Sequence, residues 1–224
     1  MTDRVVAIDG PAGSGKSTTA RAVAERLGFA HLDSGALYRA VTLAVLDARV
    51  PETGDAIVGL ARSLPVRLAL VGDAFRPEVS GVDVTGPVRE NRVTSRVSAV
   101  AAQPAVRAWV NEELRAAAAL HPAGIVVDGR DIGTVVFPGA PLKVFLTASP
   151  EERARRRSQE VGFGTDAASL KHVEGELARR DTADSTRAAA PLTAARDARL
   201  LDTTRMTFED QVEAIVSLAR KTFP

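Results

Sequence analysis

The sequence predicts an α/β protein in which helices flank a five-stranded parallel sheet. Three observations support this fold class. Short apolar, β-branched runs alternate with longer segments of helical periodicity. A glycine-rich loop joins the first run to the first helical segment. Polar residues follow the ends of several runs, and ligands bind to such sheets at the carboxyl ends of the strands.

Five apolar runs are predicted as the strands of this sheet, at residues 4–9, 29–32, 124–128, 142–146 and 199–203. Because strands separated by helices pair in parallel through crossover connections, we expect helices on both faces. The helical segments are predicted at residues 17–27, 36–47, 56–63, 89–102, 105–120, 150 to the loop at 162–165, 168–181, and from Thr207 to 222.

Several residues have the properties of helix caps. Asp33 or Ser34 can cap the second helix, and Ser149 precedes Pro150 at the start of the sixth. Thr207 is the predicted cap of the last helix, where Asp210 completes an acidic form of the capping box.

One region interrupts the alternation of strands and helices. Residues 66–71 alternate with period two, Gly72-Asp73 forms a turn, and residues 77–84 contain one or two short strands. Adjacent short strands joined by tight turns pair antiparallel. We therefore predict a small antiparallel insert at about residues 64–88.

Composition excludes several classes of function. The chain has 224 residues, a net charge of +1 and no cysteine, so it contains neither a disulfide nor a thiolate metal site. A charge this small gives no indication of a nucleic-acid partner or a charged membrane surface. No apolar run approaches the roughly 20 residues of a membrane-spanning helix, and nothing resembles a signal peptide. We expect a cytoplasmic protein with no nucleic-acid and no membrane partner.

The glycine-rich loop matches the phosphate-binding pattern G-x-x-x-x-G-K-[ST] between a strand and a helix. Its backbone N–H groups and the helix N-terminus can surround phosphate oxygens. Lys16 can reach the outer phosphates, and Ser17 can bind Mg²⁺. The alternative is an ordinary glycine turn, but the strand and helix on either side favour a site for ATP and Mg²⁺. The predicted nucleotide-binding residues are Gly10, Pro11, Ala12, Gly13, Ser14, Gly15, Lys16, Ser17 and Thr18.

Charged residues at the other strand ends suit a second substrate. Asp128 ends an apolar strand, as the metal-binding acid of phosphate-loop proteins does; the alternative is an aspartate that caps a turn. Arg39 and Arg130 come from the same edge and suit bidentate bonds to a second phosphate group. Asp131 can hydrogen-bond a base or a sugar, and so can Ser98 and Asp184.

Three further segments resemble bacterial cytidylate kinases. They are D-S-G-A-L-Y-R at 33–39, D-G-R-D-I-G-T-V-V-F-P at 128–138, and the run from Arg180-Asp181 through Asp184-Ser185-Thr186-Arg187 to Ala190-Pro191-Leu192. The resemblance implies a P-loop kinase that transfers the γ-phosphoryl group of ATP, with Mg²⁺, to CMP and dCMP. It also implies a monomer, and it places the antiparallel insert in the monophosphate-binding region.

The resemblance further implies roles for individual residues. Ser34, Arg39 and Arg130 would bind the monophosphate. Ser98, Arg107 and Asp131 would surround the cytosine, whose amino donor and ring acceptors match a carboxylate beside an arginine. Arg180, Asp184 and Arg187 would serve the sugar and phosphates. The catalytic set would be Lys16, Asp128, Arg130 and Arg187, with Ser17 and Asp128 at the metal. The family often has arginines where this chain has Ala183 and Ser185.

We predict a single kinase unit over residues 1–224. Its core comprises about 1–63, 89–150 and 188–224, its insert about 64–88, and its lid about 151–187. Arg153 and Arg157 of the lid are predicted to contact ATP. The alternative is a solvated helix that is stabilised by Glu151–Arg155 and Glu152–Arg156 pairs. Trp109, Tyr38 and the three histidines are expected to be packing or surface residues.

Three other functions compete with this one. A GTP-binding switch protein needs an N-K-x-D segment, which the chain lacks, although residues 83–86 match D-x-x-G. Another small-substrate kinase would act on UMP, AMP, shikimate or a sugar acid. A nucleic-acid-dependent ATPase is disfavoured by the small net charge and the absence of an aromatic stripe.

Overall fold

A computed structural model describes residues 4–223, and the predicted core residues 1–3 and 224 lie outside it. The fold is a sheet between two layers of helices. Its strands are β1 Val5–Asp9, β2 Ala30–Asp33, β3 Val66–Val71, β4 Ala74–Val79, β5 Val82–Asp83, β6 Ile125–Gly129, β7 Leu142–Thr147 and β8 Arg199–Asp202. Within residues 4–223, no helix is both long and apolar enough to cross a membrane.

The five predicted strands form a continuous parallel sheet in the order β2-β6-β1-β7-β8. Strand β1 lies at its centre and is buried along its whole length. Val5 and Ala7 belong to the apolar core on one face, whereas Val6 and Ile8 belong to the core on the other. This alternation requires apolar residues at every position, which is why the strand reads as a continuous apolar run.

The predicted insert is antiparallel, with β4 paired to both β3 and β5. The sequence did not predict that β4 also joins the central sheet. It pairs in parallel with β2 through His31 and Ala74, and the His31 amide donates to the Asp73 carbonyl at 3.0 Å. The insert therefore extends the sheet at the β2 edge. A single bridge between strands distant in the chain leaves no periodic signal in the sequence.

The helices are α1 Lys16–Leu27, α2 Ser34–Ala48, α3 Gly54–Ser63, α4 Asn91–Ala101, α5 Pro104–Ala118, α6 Pro150–Val161, α7 Ala167–Thr186 and α8 Phe208–Thr222. Ser149 caps α6, and Thr207 with Asp210 forms the predicted capping box of α8. Asp33, not Ser34, caps α2. Residues 87–89 form a 3₁₀ turn before α4, and residues 132–136 form a π-helical turn after β6.

Helix α7 extends five residues beyond the predicted end at 181. Its last turns lack an apolar stripe, so the helical pattern in the sequence ends too early. Tertiary contacts hold this end instead, because Arg130 donates to Asp184 at 2.8 Å. Strands β3–β5 lie within the predicted insert and α7 within the predicted lid. The division into core, insert and lid stays a prediction.

Candidate active site

The glycine-rich loop fills the short connection between β1 and α1, and three of its glycines are required by its geometry. Gly13 and Gly15 have φ angles of 74° and 85°, in the left-handed region that favours glycine. A Cβ at Gly10 would lie 2.0 Å from the Leu146 carbonyl oxygen. The loop is therefore closely packed against β7 at Gly10.

Lys16 lies folded over this loop and is 5% exposed. Its Nζ donates to the Pro11 carbonyl at 2.6 Å and to Ser14 Oγ at 3.3 Å. Burial and the nearby Arg130 lower the pKa of Lys16 well below its ordinary value. A bound phosphate would raise the pKa of Lys16 again, because it adds negative charge beside the ammonium group.

Ser17 and Asp128 meet at the carboxyl edge of the sheet. Asp128 is aligned with Ile8 in the β1–β6 register, which places it one position from the end of β1. Ser17 Oγ donates to Asp128 Oδ2 at 2.5 Å. A hydroxyl and a carboxylate are hard oxygen ligands, and Mg²⁺ beside phosphates takes one or two protein oxygens. The pair therefore fits a magnesium site.

The Asp128 carboxylate remains ionised although it is 2% exposed. Burial alone would raise its pKa. Hydrogen bonds from His31 and Ser17 and the positive charge of Lys16 outweigh burial, so the pKa lies below its ordinary value. Asp33 behaves in the opposite way, since burial and the negative charge of Asp128 raise its pKa.

Arg39 and Arg180 lie in the cleft, and neither forms an ion pair with a carboxylate of residues 4–223. Arg39 Nη1 donates to the Val88 carbonyl at 3.1 Å and to Thr94 Oγ1 at 2.9 Å, and both acceptors are neutral. Within residues 4–223, no side chain accepts a hydrogen bond from Arg180, and its Nε is buried without a partner. Burial lowers the pKa of both guanidinium groups. Such under-neutralised cations are suited to bind a phosphate.

Asp131 lies at the centre of a buried network. Arg107 Nη2 donates to its Oδ2 at 2.5 Å, and Arg187 Nη2 lies 3.5 Å from its Oδ1. Arg187 is held in place by its Nε, which donates to the Ala190 carbonyl at 2.6 Å. Arg107 and Asp131, which are both predicted to bind the base, are thus in direct contact with each other.

One cleft of about 240 Å³ collects most of the predicted residues. Eight basic and five acidic side chains line it, a surplus of three positive charges beside the chain's net +1. The predicted residues that line it are Ala12, Gly13, Gly15, Lys16, Ser17, Thr18, Ser34, Arg39, Ser98, Arg107, Asp128, Arg130, Asp131, Arg157, Arg180, Asp184 and Arg187. Those outside its lining are Gly10, Pro11, Ser14 and Arg153.

Helices α6 and α7 are tied to the phosphate loop by Arg153. Its Nη1 donates to the Ala12 carbonyl at 3.0 Å and to Asp181, whose other oxygen accepts from the Ala12 amide at 2.9 Å. Arg156, which the sequence placed only in an ion pair with Glu152, also donates to the Ser14 carbonyl at 3.3 Å.

The predicted ion pairs of α6 are partly corrected. Glu152 pairs with Arg156 as expected. Arg155, however, pairs with Glu152 and not with Glu151. Arg155 pairs with Glu152, three positions away, because Glu152 already faces Arg156 on the same side of the helix. One carboxylate therefore forms ion pairs with both guanidinium groups.

Sequence reasoning missed three residues around the cleft. Asp9 accepts from the Ile132 and Gly133 amides at 2.8 and 2.7 Å and so fixes the turn after Asp131. His31 lies 2.8 Å from Asp128. The Tyr38 ring lies 5.4 Å from the Arg107 guanidinium carbon, and its buried hydroxyl has no partner within residues 4–223. Of these three residues, only Asp9 could have been predicted from the sequence, because it lies at the end of a predicted strand.

Comparison with known proteins gives one consistent result. The family model described as cytidylate kinase matches residues 6–221. A cytidylate kinase of Streptomyces griseus is 46% identical over 96% of this chain and 91% of its own length. One from Mycobacterium leprae is 44% identical over 99% and 97%, and one from Azotobacter vinelandii is 48% identical over 95% and 93%.

Proposed function

The chain belongs to the cytidylate kinase family, and from this premise we propose how its residues transfer the γ-phosphoryl group of ATP to CMP or dCMP. It is a nucleoside monophosphate kinase. A phosphate oxygen of CMP forms a bond to the γ-phosphorus of ATP. The bond from that phosphorus to the β–γ bridging oxygen breaks, which yields CDP and ADP. The observation that supports the assignment of roles is that one cleft is lined by both the phosphate loop and the arginines Arg39 and Arg180.

The donor side is formed by the phosphate loop. Its amides and the N-terminus of α1 bind the β- and γ-phosphates of ATP. Lys16 exchanges the Pro11 carbonyl for phosphate oxygens, a short movement because its Nζ already lies over the loop. Arg157 lines the same cleft and adds positive charge near the γ-phosphate, while Arg153 holds the Ala12 segment in place.

The metal site consists of Ser17 and Asp128, which would hold Mg²⁺ through hydroxyl and carboxylate oxygens. When bound, Mg²⁺ neutralises the negative charge on the phosphate oxygens of ATP. Asp128 remains ionised at neutral pH because His31 and Ser17 both donate to it.

The acceptor phosphate is assigned to Ser34, Arg39 and Arg130. The last two are planar guanidinium groups that suit bidentate contact with phosphate. Arg180 and Arg187 supply further positive charge, and Asp184 orients Arg130 while it remains available to a sugar hydroxyl. No strong general base is required, since the oxygens of CMP are already anionic nucleophiles.

The base is assigned to Ser98, Arg107 and Asp131. Asp131 retains acceptor capacity beside its arginines and takes the amino group of cytosine, while Arg107 donates to the ring acceptors. Uracil presents a carbonyl where cytosine has the amine, so it would place an acceptor against the carboxylate. A site that leaves polar groups unpaired discriminates by about 10⁴ or more.

A coupled ADP-release assay over CMP, dCMP, UMP, AMP, GMP and shikimate tests these assignments. The expected result is a high kcat/KM for CMP and dCMP and values lower by orders of magnitude for the others. An Arg39→Ala variant should raise the KM for CMP, whereas Arg67→Ala, on the exposed hairpin, serves as the matched control. Preference for UMP or shikimate would refute the base assignment.

We also propose that the chain acts as a monomer in the cytoplasm. Sedimentation tests the oligomeric state, and cell fractionation tests the location.

A further inference from the structure

His31 lies at the metal site without belonging to the predicted site. It is on β2, next to β6 in the sheet, and its side chain is 6% exposed. Its Nε2 lies 2.8 Å from Asp128 Oδ1. A carboxylate offers only acceptors, so the ring nitrogen that faces it carries the proton and donates.

The two oxygens of Asp128 therefore have different partners. Oδ1 accepts from His31, and Oδ2 accepts from Ser17. These two bonds fix the rotation of the carboxylate and point one oxygen at the serine hydroxyl. The neighbouring Asp33 is half-buried and is aligned with Asp128 in the β2–β6 register, so burial and the repulsion between the two acids raise the pKa of Asp33. Without His31, a buried anion would lose one of its two donors beside a second acid.

The position of His31 is itself fixed by the fold. Its amide donates to the Asp73 carbonyl at 3.0 Å, and its main chain bridges β2 to β4 at Ala74. The same residue thus holds the insert hairpin through its backbone and Asp128 through its ring. An apolar core residue would satisfy the first requirement but not the second.

We propose that His31 is a positioning residue that orients the Asp128 carboxylate toward Mg²⁺. The inference rests on the proposed metal role of Asp128. Residues that hydrogen-bond a metal ligand fix its orientation, and their loss typically lowers metal affinity by about 10- to 100-fold. His31 acts through Asp128, so its removal should weaken metal binding without a direct effect on the CMP side of the cleft.

The test measures ADP affinity by calorimetry with Mg²⁺ and with EDTA. The ratio of the two affinities reports Mg²⁺ binding independently of turnover. His31→Leu should lower this ratio by about tenfold or more and leave the EDTA value within about twofold. It should also raise the KM for Mg²⁺ while the KM for CMP stays constant. His172→Leu, on the exposed face of α7, is the control.

A comparison of two amides separates positioning from packing. The amide nitrogen of His31→Gln reaches the Nε2 position and should restore most of the ratio. That of His31→Asn falls near Nδ1 and should not. This comparison also serves if His31→Leu does not fold. Equal ratios for the two amides, or a wild-type ratio in a folded His31→Leu, would overturn the inference.

Asp128→Asn distinguishes failure of the inference from failure of its premise. If Asp128→Asn lowers the ratio but His31→Leu does not, only the role of His31 is refuted. If Asp128→Asn leaves the ratio unchanged, the proposed metal role fails and the inference with it. Both results are independent of which nucleoside monophosphate the wild-type enzyme prefers.

Discussion

At the scale of single residues, Lys16 is held by the loop that it serves. Its Nζ donates hydrogen bonds to the Pro11 carbonyl and to Ser14 Oγ, and it is buried from solvent. We predict that Lys16→Ala lowers kcat by at least about 10²-fold, because one preorganised cation is lost at the transferring phosphoryl group. CMP binding, measured by calorimetry, should stay largely intact. Loss of CMP binding in a folded variant would contradict the separation of donor and acceptor sites.

Asp131 is the residue whose side chain is proposed to distinguish cytosine from uracil. We predict that Asp131→Ala lowers the ratio of kcat/KM for CMP over UMP by about 10²-fold or more, and that kcat falls by less. The variant leaves Arg107 and Arg187 without their shared carboxylate, so some loss of stability accompanies it. Asp131→Asn keeps the shape as a control. An unchanged ratio in Asp131→Ala would rule out the assignment.

Asp9 should make the stability of the protein depend on pH. Burial raises its pKa from 3.8 to about 6 against two amide hydrogen bonds. The folded state thus holds this proton more tightly than the unfolded state. Stability falls as pH rises from about 4 to about 6, by up to about 3 kcal/mol.

Asp9→Asn tests this because it cannot ionise. Its own cost is one unpaired amide, which does not vary with pH. Urea denaturation of both proteins at about pH 4 and about pH 7 should show that the wild type loses stability relative to the variant at the higher pH. Parallel pH profiles would show that Asp9 is not the group responsible.

The sequence predicted which residues belong to the candidate site better than it predicted which residues contact each other. The phosphate loop, Asp128, Arg39 and Arg130 were predicted from motif and strand position, whereas Arg107, Arg180 and Arg187 were implied only by the family resemblance. The bonds of Asp9 to the turn after β6 and of His31 to Asp128 join residues about a hundred positions apart or more. A single histidine in an apolar strand gives no sequence pattern from which its role can be predicted, because that role depends on the residues of the neighbouring strand.

At the scale of elements, helix α8 depends on its N-terminal cap. Thr207 Oγ1 accepts from the Asp210 amide, and the Asp210 carboxylate accepts from the Thr207 amide. We predict that Thr207→Ala lowers the free energy of unfolding by about 1 kcal/mol. Ser217→Ala, farther along the same helix, should stay within about 0.5 kcal/mol. Chemical denaturation measures both, and equal effects would contradict the role of the cap.

Elements with a periodic pattern and a capping residue were predicted closely. The parallel strands and the starts of α6 and α8 follow from local chemistry. The end of α7 was not predicted correctly, because an ion pair and not an apolar stripe stabilises it. The pairing of β4 with β2 was not predicted either, since the neighbour of a strand in the sheet depends on the tertiary fold and not on local sequence.

At the scale of the whole molecule, charge is concentrated where the substrates bind. The cleft carries a surplus of three positive charges in a chain of net +1. We predict that kcat/KM for CMP falls by about threefold or more when NaCl rises from about 50 to about 300 mM, because salt screens attraction outside the site. The value of kcat should change less. Steady-state kinetics at fixed free Mg²⁺ measure both, and a flat kcat/KM would contradict electrostatic attraction.

The central place of β1 affects how the chain comes to fold. Of the strands in residues 4–223, β1 is the first to be synthesised, yet its two neighbours begin at Ile125 and Leu142. At synthesis rates of about 5–20 residues per second, its apolar residues wait on the order of ten seconds for a partner. During that time they are open to aggregation or to capture by a chaperone. A nascent chain that has not reached residue 125 therefore lacks both strands that flank β1 and the phosphate loop that follows it.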